Sequence, residues 1–300
     1  MPGKAAMTDI ANAGAGLSLS FEFFPPKTPE MERTLWDTVC ALAPLEPAFV
    51  SVTYGAGGMT RERTHATVSR IVGEAGLTAA AHLTCVDATR DEIESVARGY
   101  WDAGVRHIMA LRGDPPEGED AYTPHPGGYA YAADLVTGLR EVAPFELSVA
   151  AYPETHPEAP SAAFDIDNLK RKADAGATRA ITQFFFDNDV FLRFRDRVAA
   201  AGISIPLVPG IMPVGNFTNM LRFAEMCGAS VPSTMAAAYE GLDHDPAGRA
   251  EVGKRIASEQ CLDLRTNGVE EFHFYTLNRA DLTRAICANL GVVGAAAEGT

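Results

Sequence analysis

The chain has few cysteines, and their spacing does not suggest a cross-linked scaffold. Five are present, an odd number without a CxxC pair: Cys40, Cys85, Cys227, Cys261 and Cys287. A disulfide framework would need an even set at short spacings, and a structural zinc site would need close pairs. We therefore expect free thiols, no metal and no iron–sulfur centre.

Long apolar runs and an excess of positive charge are also missing. No segment approaches the roughly 20 apolar residues of a membrane span, and the first twenty residues lack the apolar stretch of a signal peptide. Asp and Glu number 39 against 25 Lys and Arg, a net charge of −14, which argues against nucleic acid as the main partner. We therefore expect a cytoplasmic protein without a membrane or nucleic-acid partner.

Several catalytic signatures are absent as well. The sequence contains no HxxEH, no GxSxG and no P-loop, which leaves zinc hydrolases, serine hydrolases and P-loop nucleotide hydrolases without support. The first predicted strand is followed by FFPPKTP, which cannot wrap a pyrophosphate as GxGxxG does. This argues against the runner-up fold, a doubly wound dinucleotide-binding sheet.

Eight short runs of β-branched or aromatic residues alternate with longer amphipathic segments. The strand candidates are residues 17–24, 48–54, 78–85, 106–113, 146–153, 179–186, 205–213 and 271–278. Eight strands each followed by a helix predict a single (β/α)8 barrel. We expect it to span 17–292, between flexible ends at 1–16 and 293–300, with an extra helical region at 229–266 before the last strand. The proline-rich loop 115–128 is unusually long.

The stretch SFEFFPPK places one carboxylate, Glu22, among phenylalanines. Strand side chains alternate in direction, so Phe21 and Phe23 share one face while Ser20 and Glu22 share the other. We expect Glu22 to point into the barrel near its carboxyl-terminal mouth, where barrel enzymes build their active sites. The alternative is a core glutamate satisfied by an Arg or Lys.

Polar residues lie at or near the ends of most predicted strands: His82, Arg112, Asp114, Tyr152, Gln183, Tyr275 and Arg279. Together they predict a polar mouth on an apolar barrel, which is a binding site. On the predicted helix DIDNLKRK (165–172), Asp165, Asn168 and Lys172 share a face with Arg171 adjacent. This helix is either an exposed one with an Asp167–Arg171 pair or a site for hydroxyls and phosphates.

The blocks SFEFFPPK, FVSVTYGAGG, AAHLTC, ALRGD, VAAYPE, DNLKRKADAGA, ITQFFFD, VPGIMPV and FHFYTLNRA resemble the bacterial, single-domain 5,10-methylenetetrahydrofolate reductases. The resemblance runs in order from about residue 17 to residue 291. It implies a (β/α)8 barrel with non-covalent FAD that reduces 5,10-methylenetetrahydrofolate to 5-methyltetrahydrofolate with NAD(P)H by a ping-pong mechanism. It leaves the choice of NADH or NADPH open and weakly suggests a homo-oligomer.

The resemblance also assigns residues. Positions matching those that hold FAD are Thr53, Tyr54, Ala56, His82, Arg112, Gly113, Asp114, Tyr131, Ala132, Tyr152, His156, Ala159, Asp165, Asn168, Arg171 and Lys172. Substrate positions are Gln183, Asn219, Phe223, Tyr275 and Arg279. Asn219 stands where a relative has Gln, so one folate contact is expected to be shorter or absent.

Two carboxylates carry the implied chemistry. Glu22 matches the acid that protonates the departing nitrogen of the folate ring, and we expect burial between Phe21 and Phe23 to raise its pKa. Asp114 would tune the flavin potential from beside its pyrimidine ring. The rival hypotheses are a barrel aldolase or isomerase, which would need a catalytic lysine, and a flavin or folate carrier, which would have no use for the acid.

Overall fold

The computed structural model describes residues 16–54, 58–115, 118–119 and 121–294. Nine parallel strands lie within these ranges: β1 Ser18–Phe23, β2 Phe49–Val52, β3 Ala79–Thr84, β4 His107–Leu111, β5 Glu146–Ala151, β6 Arg179–Thr182, β7 Leu207–Val208, β8 Gly210–Ile211 and β9 Glu271–Tyr275. They are hydrogen-bonded in the order β7-β6-β5-β4-β3-β2-β1-β9-β8. Sequential parallel neighbours joined by helices are the pattern of a TIM-like barrel, so the predicted fold class is confirmed.

Helices follow the strands around the ring. Those in the described residues are α1 Pro29–Leu42, α2 Gly58–Arg70, α3 Arg90–Asp102, α4 Ala132–Val142, α5 Ala162–Ala175, α6 Asn188–Ala200, α7 Phe217–Cys227, α8 Ser233–Tyr239, α9 Pro246–Thr266 and α10 Ala280–Asn289. The extra pair α8 and α9 precedes β9, in the region where the sequence predicts additional helix. Within the described residues, no helix combines the length and apolarity needed to cross a bilayer.

The seventh strand position is interrupted. The sequence predicts one strand over 205–213, but the structure contains two short strands separated by Pro209. Proline has no N–H to donate to a ladder, and its carbonyl instead accepts from the His273 N–H at 3.0 Å. Since β7 pairs with β6 and β8 pairs with β9, the two halves together close the ring.

The alternation in β1 separates two environments. Phe21 and Phe23 are fully buried in the apolar layer between strands and helices, with Phe272 and Phe274 of β9. Ser20 and Glu22 lie on the opposite face, towards the barrel axis. The predicted inward direction of Glu22 therefore follows from the packing of its neighbours against the helices.

Candidate active site

Glu22 lies inside the barrel mouth beside two histidines. Its Oε2 is 3.2 Å from Nε2 of His82 and 3.5 Å from Nε2 of His273. The Ser51 hydroxyl donates to the same oxygen at 3.4 Å. The Glu22 side chain is 12% exposed, so the carboxylate is largely buried but paired. Among the described residues, the partners of Glu22 are two histidines and a serine. They are not the Arg or Lys that the alternative of a core glutamate requires.

The expected direction of the Glu22 pKa is wrong. Burial does act to raise it, but the nearby His82 and His273 together outweigh burial and lower the pKa from 4.5 to about 2. Phe21 and Phe23 lie on the opposite face of β1 and do not form the environment of the carboxyl group. Opposite charges within about 4–6 Å favour the ionised form, so Glu22 is a carboxylate near neutral pH.

His273 connects Glu22 to Ser20 in the barrel interior. Nδ1 of His273 is 2.8 Å from the Ser20 hydroxyl, and the ring is 1% exposed. It stacks on Phe49, with ring centroids 5.9 Å apart, and meets Tyr275 edge-on at 5.3 Å. Strand register explains the cluster, because Ser20 pairs with His273 and Glu22 with Tyr275 across β1 and β9.

Tyr275 lies at the end of β9, and Gln183 lies in the loop after β6. The Tyr275 hydroxyl donates to the Thr182 carbonyl at 2.7 Å, and burial raises its pKa well above the ordinary value. A Cβ at position 210 would lie 2.2 Å from the Thr182 oxygen and 2.6 Å from the Tyr275 ring, so only Gly210 permits this approach. The Gln183 Oε1 accepts from the Phe184 N–H at 3.0 Å.

Arg112 and Gly113 form a tight turn after β4. Gly113 has φ +91°, and a Cβ there would lie 2.5 Å from Val86 Cγ1, so this position requires glycine. The Arg112 guanidinium donates to both carboxylate oxygens of Glu158, at 2.5 and 3.3 Å. Burial opposes the charge of Arg112, but the Glu158 contacts outweigh it and raise its pKa. Asp114 is exposed beyond this turn.

Tyr152, His156 and Asp165 lie together beyond the end of β5. Tyr152 meets His156 edge-on with centroids 4.5 Å apart, and the His156 N–H donates to the Asp165 carboxylate at 2.8 Å. Burial raises the pKa of Tyr152 to about 12 and also raises that of Asp165. Burial and the neighbouring Arg112 lower the pKa of His156. Burial therefore disfavours the charged forms of all three groups.

Lys172 reaches from α5 to the end of β5 and is buried. Its Nζ donates to the Ala150 carbonyl at 2.5 Å. Burial lowers its pKa to about 8, although the nearby Asp165 opposes this. An ammonium group can donate three hydrogen bonds, so Lys172 retains donor capacity for an anionic ligand. Asn168 accepts from Arg171 at 3.5 Å.

The remaining candidates lie at the rim. Tyr131 is exposed where α4 begins and Ala132 is buried behind it, while the Ala159 N–H donates to the His156 carbonyl at 2.8 Å. The Thr53 carbonyl accepts from the Thr64 hydroxyl. Tyr54 is half-buried after β2.

The substrate candidates outside the barrel lie on two helices. Asn219 and Phe223 are exposed on α7, and Arg279 is exposed where α10 begins. Ala56 lies outside the described residues, so its predicted role is not addressed. The residues deep in the mouth, Glu22, His82 and Tyr275, lie within the strands near their carboxyl ends, and the rim residues lie on the segments that follow.

Sequence reasoning missed four residues of this site. His273 and Ser20 were not singled out, although each lies two positions from a predicted site residue and so on the same strand face. Ser51 has the same relation to Thr53. Glu158 lies in a loop, and no pattern in the sequence indicates its pairing with Arg112.

Comparisons with known proteins identify the family of the chain. The model of the family described as Methylenetetrahydrofolate reductase matches residues 7–291. The 5,10-methylenetetrahydrofolate reductase of Salmonella typhimurium is 54% identical over 289 residues, covering 96% of each chain. That of Escherichia coli is 54% identical over 283 residues, covering 94% of each.

A solved structure extends the likeness of fold. An uncharacterized protein from Clostridium thermocellum that binds two copies of 5-methyl-5,6,7,8-tetrahydrofolic acid has a TM-score of 0.60 at 14% identity, over 96% of this chain and 98% of that one. At this identity the likeness concerns the barrel alone. The family match and the two relatives cover nearly the whole chain, and the chain therefore belongs to the methylenetetrahydrofolate reductase family of oxidoreductases.

Proposed function

We propose that this protein reduces 5,10-methylenetetrahydrofolate to 5-methyltetrahydrofolate with electrons from NAD(P)H, through a non-covalent FAD and by a ping-pong mechanism. The observation that carries the proposal is a largely buried carboxylate, Glu22, held by two histidines in the barrel mouth of a chain of this family. The flavin would accept a hydride from the nicotinamide and pass it to the folate carbon. We further propose a cytoplasmic location and leave the preferred nicotinamide open.

The described residues fit a dinucleotide cofactor. Lys172 is a buried cation with spare donor capacity, and burial of this kind is costly without an anion. Gly113 packs the turn against Val86 and Thr84, where a side chain would clash. We assign phosphate to Lys172 and Arg171, hydroxyl groups to Asp165 and Asn168, and the ring system to the turn at Arg112–Asp114 and to Tyr152.

Glu22 acts as the acid in this proposal. Within the described part of the chain, the three polar contacts of its carboxylate are all made to Oε2, so Oε1 is the oxygen offered to a ligand. The carboxyl group must gain a proton before it can protonate the departing nitrogen. Burial is the largest single influence on its pKa and acts upward, although the two histidines together outweigh it. A ligand that covers the mouth would strengthen the effect of burial.

The remaining substrate residues would orient the pterin and its tail. Tyr275 is fixed by its hydrogen bond to Thr182 and would offer its ring as part of the binding surface. Gln183 would exchange its bond to the Phe184 N–H for one to the pterin. Phe223, Asn219 and Arg279 lie exposed at the rim, where they would contact the rest of the folate.

The test measures the two half-reactions separately in the Glu22→Gln variant. We expect the flavin absorbance to be bleached by NADH at nearly the normal rate, while its return with methylenetetrahydrofolate slows by about 10²–10⁴-fold, the usual contribution of a general acid. Glu141→Gln, an exposed substitution on α4, is the control. An unchanged folate half-reaction in Glu22→Gln would remove the acid role, and a colourless protein that binds no FAD would remove the proposal.

A further inference from the structure

Behind Glu22, the barrel interior contains a second titratable group that the proposed mechanism does not use. His273 is 1% exposed, and its Nε2 is 3.5 Å from Oε2 of Glu22. By hydrogen-bond criteria this nitrogen has no partner in the described part of the chain, although it faces a carboxylate. A fully buried, underused imidazole aimed at the proposed acid needs an explanation.

Ser20 can satisfy either protonation state of that imidazole. Its hydroxyl is 2.8 Å from His273 Nδ1 and also 3.4 Å from the Phe272 carbonyl. When the ring is neutral, Ser20 can donate to Nδ1, which leaves a proton on Nε2 facing Glu22. When the ring is charged, Nδ1–H donates to Ser20, and the hydroxyl turns to donate to Phe272. Rotation of one hydroxyl therefore pairs Nδ1 in both states, while the proton on Nε2 faces Glu22.

We propose that His273, held by Ser20, is the proton store that loads Glu22 for each turnover. This inference rests on the proposed function and identifies a positioning residue that acts through the acid. The proton leaves Nε2 of the imidazolium for Oε2 of the Glu22 carboxylate, and the neutral ring keeps its other proton on Nδ1, which still donates to Ser20. The carboxyl group then turns to present the protonated oxygen, and its proton passes to the departing folate nitrogen. That nitrogen keeps the electron pair of its broken bond to the bridging carbon. A proton from water then restores the imidazolium.

The other groups around His273 are compatible with this role. His82 lies nearer to Glu22 at 3.2 Å, but the family resemblance assigns it to FAD. Tyr275 touches the ring edge-on and stays neutral because its pKa is raised well above normal. Deeper in the barrel, burial lowers the pKa of His107 to about 4, so His107 adds no positive charge near neutrality.

One further cation, Arg179, lies near His273. The Phe49 ring stacks on His273. The Arg179 guanidinium lies over the same Phe49 ring, 5.4 Å from its centroid. It is paired with Glu146 and with Glu271, the latter at 3.5 Å. Its charge is therefore largely balanced, and Glu22 remains the anion that His273 faces directly.

The barrel also supplies a matched control. His107 and Ser148 form a second buried pair, with Nε2 of His107 2.7 Å from the Ser148 hydroxyl. Like His273, His107 is 1% exposed. Among the described residues, neither a hydrogen bond nor an ion pair joins His107 to Glu22. His107→Gln and Ser148→Ala thus repeat the same chemical changes without touching the acid.

The kinetic test measures both half-reactions against pH. In His273→Gln we expect the folate half-reaction to slow at least tenfold at pH 7 and its pH profile to move to lower pH. The NADH half-reaction should stay within twofold. Ser20→Ala should shift the profile in the same direction by a smaller amount, and Ser20→Thr, which keeps the hydroxyl, should restore it. Unchanged profiles in both His273→Gln and Ser20→Ala would overturn the inference.

A second readout does not depend on turnover. Histidine-selective ¹⁵N NMR of the full chain, with His273 assigned by loss of its signal in His273→Gln, follows its protonation directly. We expect His273 to titrate at least one pH unit lower in Glu22→Gln than in the unaltered protein, and the His107 signal not to move. An identical His273 titration in both proteins would overturn the inference even where the reductase activity is confirmed. A coupled titration without folate reduction would instead reject the proposed function.

Discussion

The side-chain amide of Asn278 forms two hydrogen bonds with the backbone of Phe24. The Phe24 N–H donates to Oδ1 and Nδ2 donates to the Phe24 carbonyl, both at 2.9 Å. Asn278 itself is in the left-handed region at φ +55°, and its carbonyl accepts from the Thr38 hydroxyl. It thus joins the loop after β9 to the loop after β1, beside the site of Glu22.

Replacing Asn278 tests this junction. Asn278→Ala loses both hydrogen bonds and adds strain at positive φ, so we expect the free energy of unfolding to fall by about 2–4 kcal/mol. Asn278→Gly relieves the strain and should cost about 1–2 kcal/mol less than Ala. Urea unfolding measures both. Equal losses would show that backbone conformation has no part in the effect.

At Gly113, a side chain would be hindered by both conformation and space. Gly113→Ala places a Cβ 2.5 Å from Val86 Cγ1 at φ +91°, so we expect a loss of about 2–4 kcal/mol and weakened FAD binding. Gly202→Ala, at φ +73° with nothing within 4 Å, isolates the conformational cost of about 1 kcal/mol. Thermal unfolding and flavin fluorescence compare the two. Similar losses in the two variants would contradict the steric account.

The buried charge of Lys172 lowers the stability of the folded protein when no anion is bound. Its pKa is lowered from 10.5 to about 8, so below pH 8 the folded state holds a charge that burial disfavours. We expect Lys172→Met to raise the melting temperature of the FAD-free protein by about 2–5 °C at pH 7, while weakening FAD binding. As pH rises from 8 to 10.5 this gain should vanish, because the unfolded chain also loses the proton.

The exposed Lys170 is the matched control for that prediction. It lies two residues away on α5 and pairs with Asp174 at the surface. Lys170→Met should leave the melting temperature nearly unchanged at every pH. A destabilised Lys172→Met protein at pH 7 would instead show that the bond to Ala150 outweighs the cost of burying the charge.

Glu22 has the opposite dependence on pH. Its pKa is about 2 in the folded protein against 4.5 normally, so its stabilising contribution is present above about pH 4.5 and is lost as pH falls towards 2. We expect Glu22→Gln to be less stable than the unaltered protein at pH 6, with the difference shrinking as pH falls towards 2. Urea midpoints across this range provide the measurement. A constant difference would mean that the carboxylate is not held by its histidines.

Local pattern was enough to predict the barrel and the direction of Glu22. Alternation in β1 determines which side chains face the helices, and eight strand–helix repeats determine the architecture. The position of Asp114 after β4 and of Lys172 on α5 also follows from local pattern, although their predicted roles stay predictions.

The charge state of Glu22 could not be read in the same way. It depends on His82 and His273, which come from other strands, and His273 lies more than 250 positions away in the chain. Residues adjacent in sequence, Phe21 and Phe23, point to the other side of the sheet and set no part of the pKa. A pKa is a property of the groups that meet in space, and strand register brings those groups together.

The interruption at Pro209 makes one joint of the barrel different from the others. Where neighbouring strands elsewhere pair through three to five residues, β7 and β8 each pair through only two. This joint is thus the part of the wall with the fewest amide hydrogens locked against solvent exchange. The joint also lies next to β9, which comes from the far end of the chain and pairs with β1. We therefore expect the barrel to open locally at this joint rather than elsewhere around the ring.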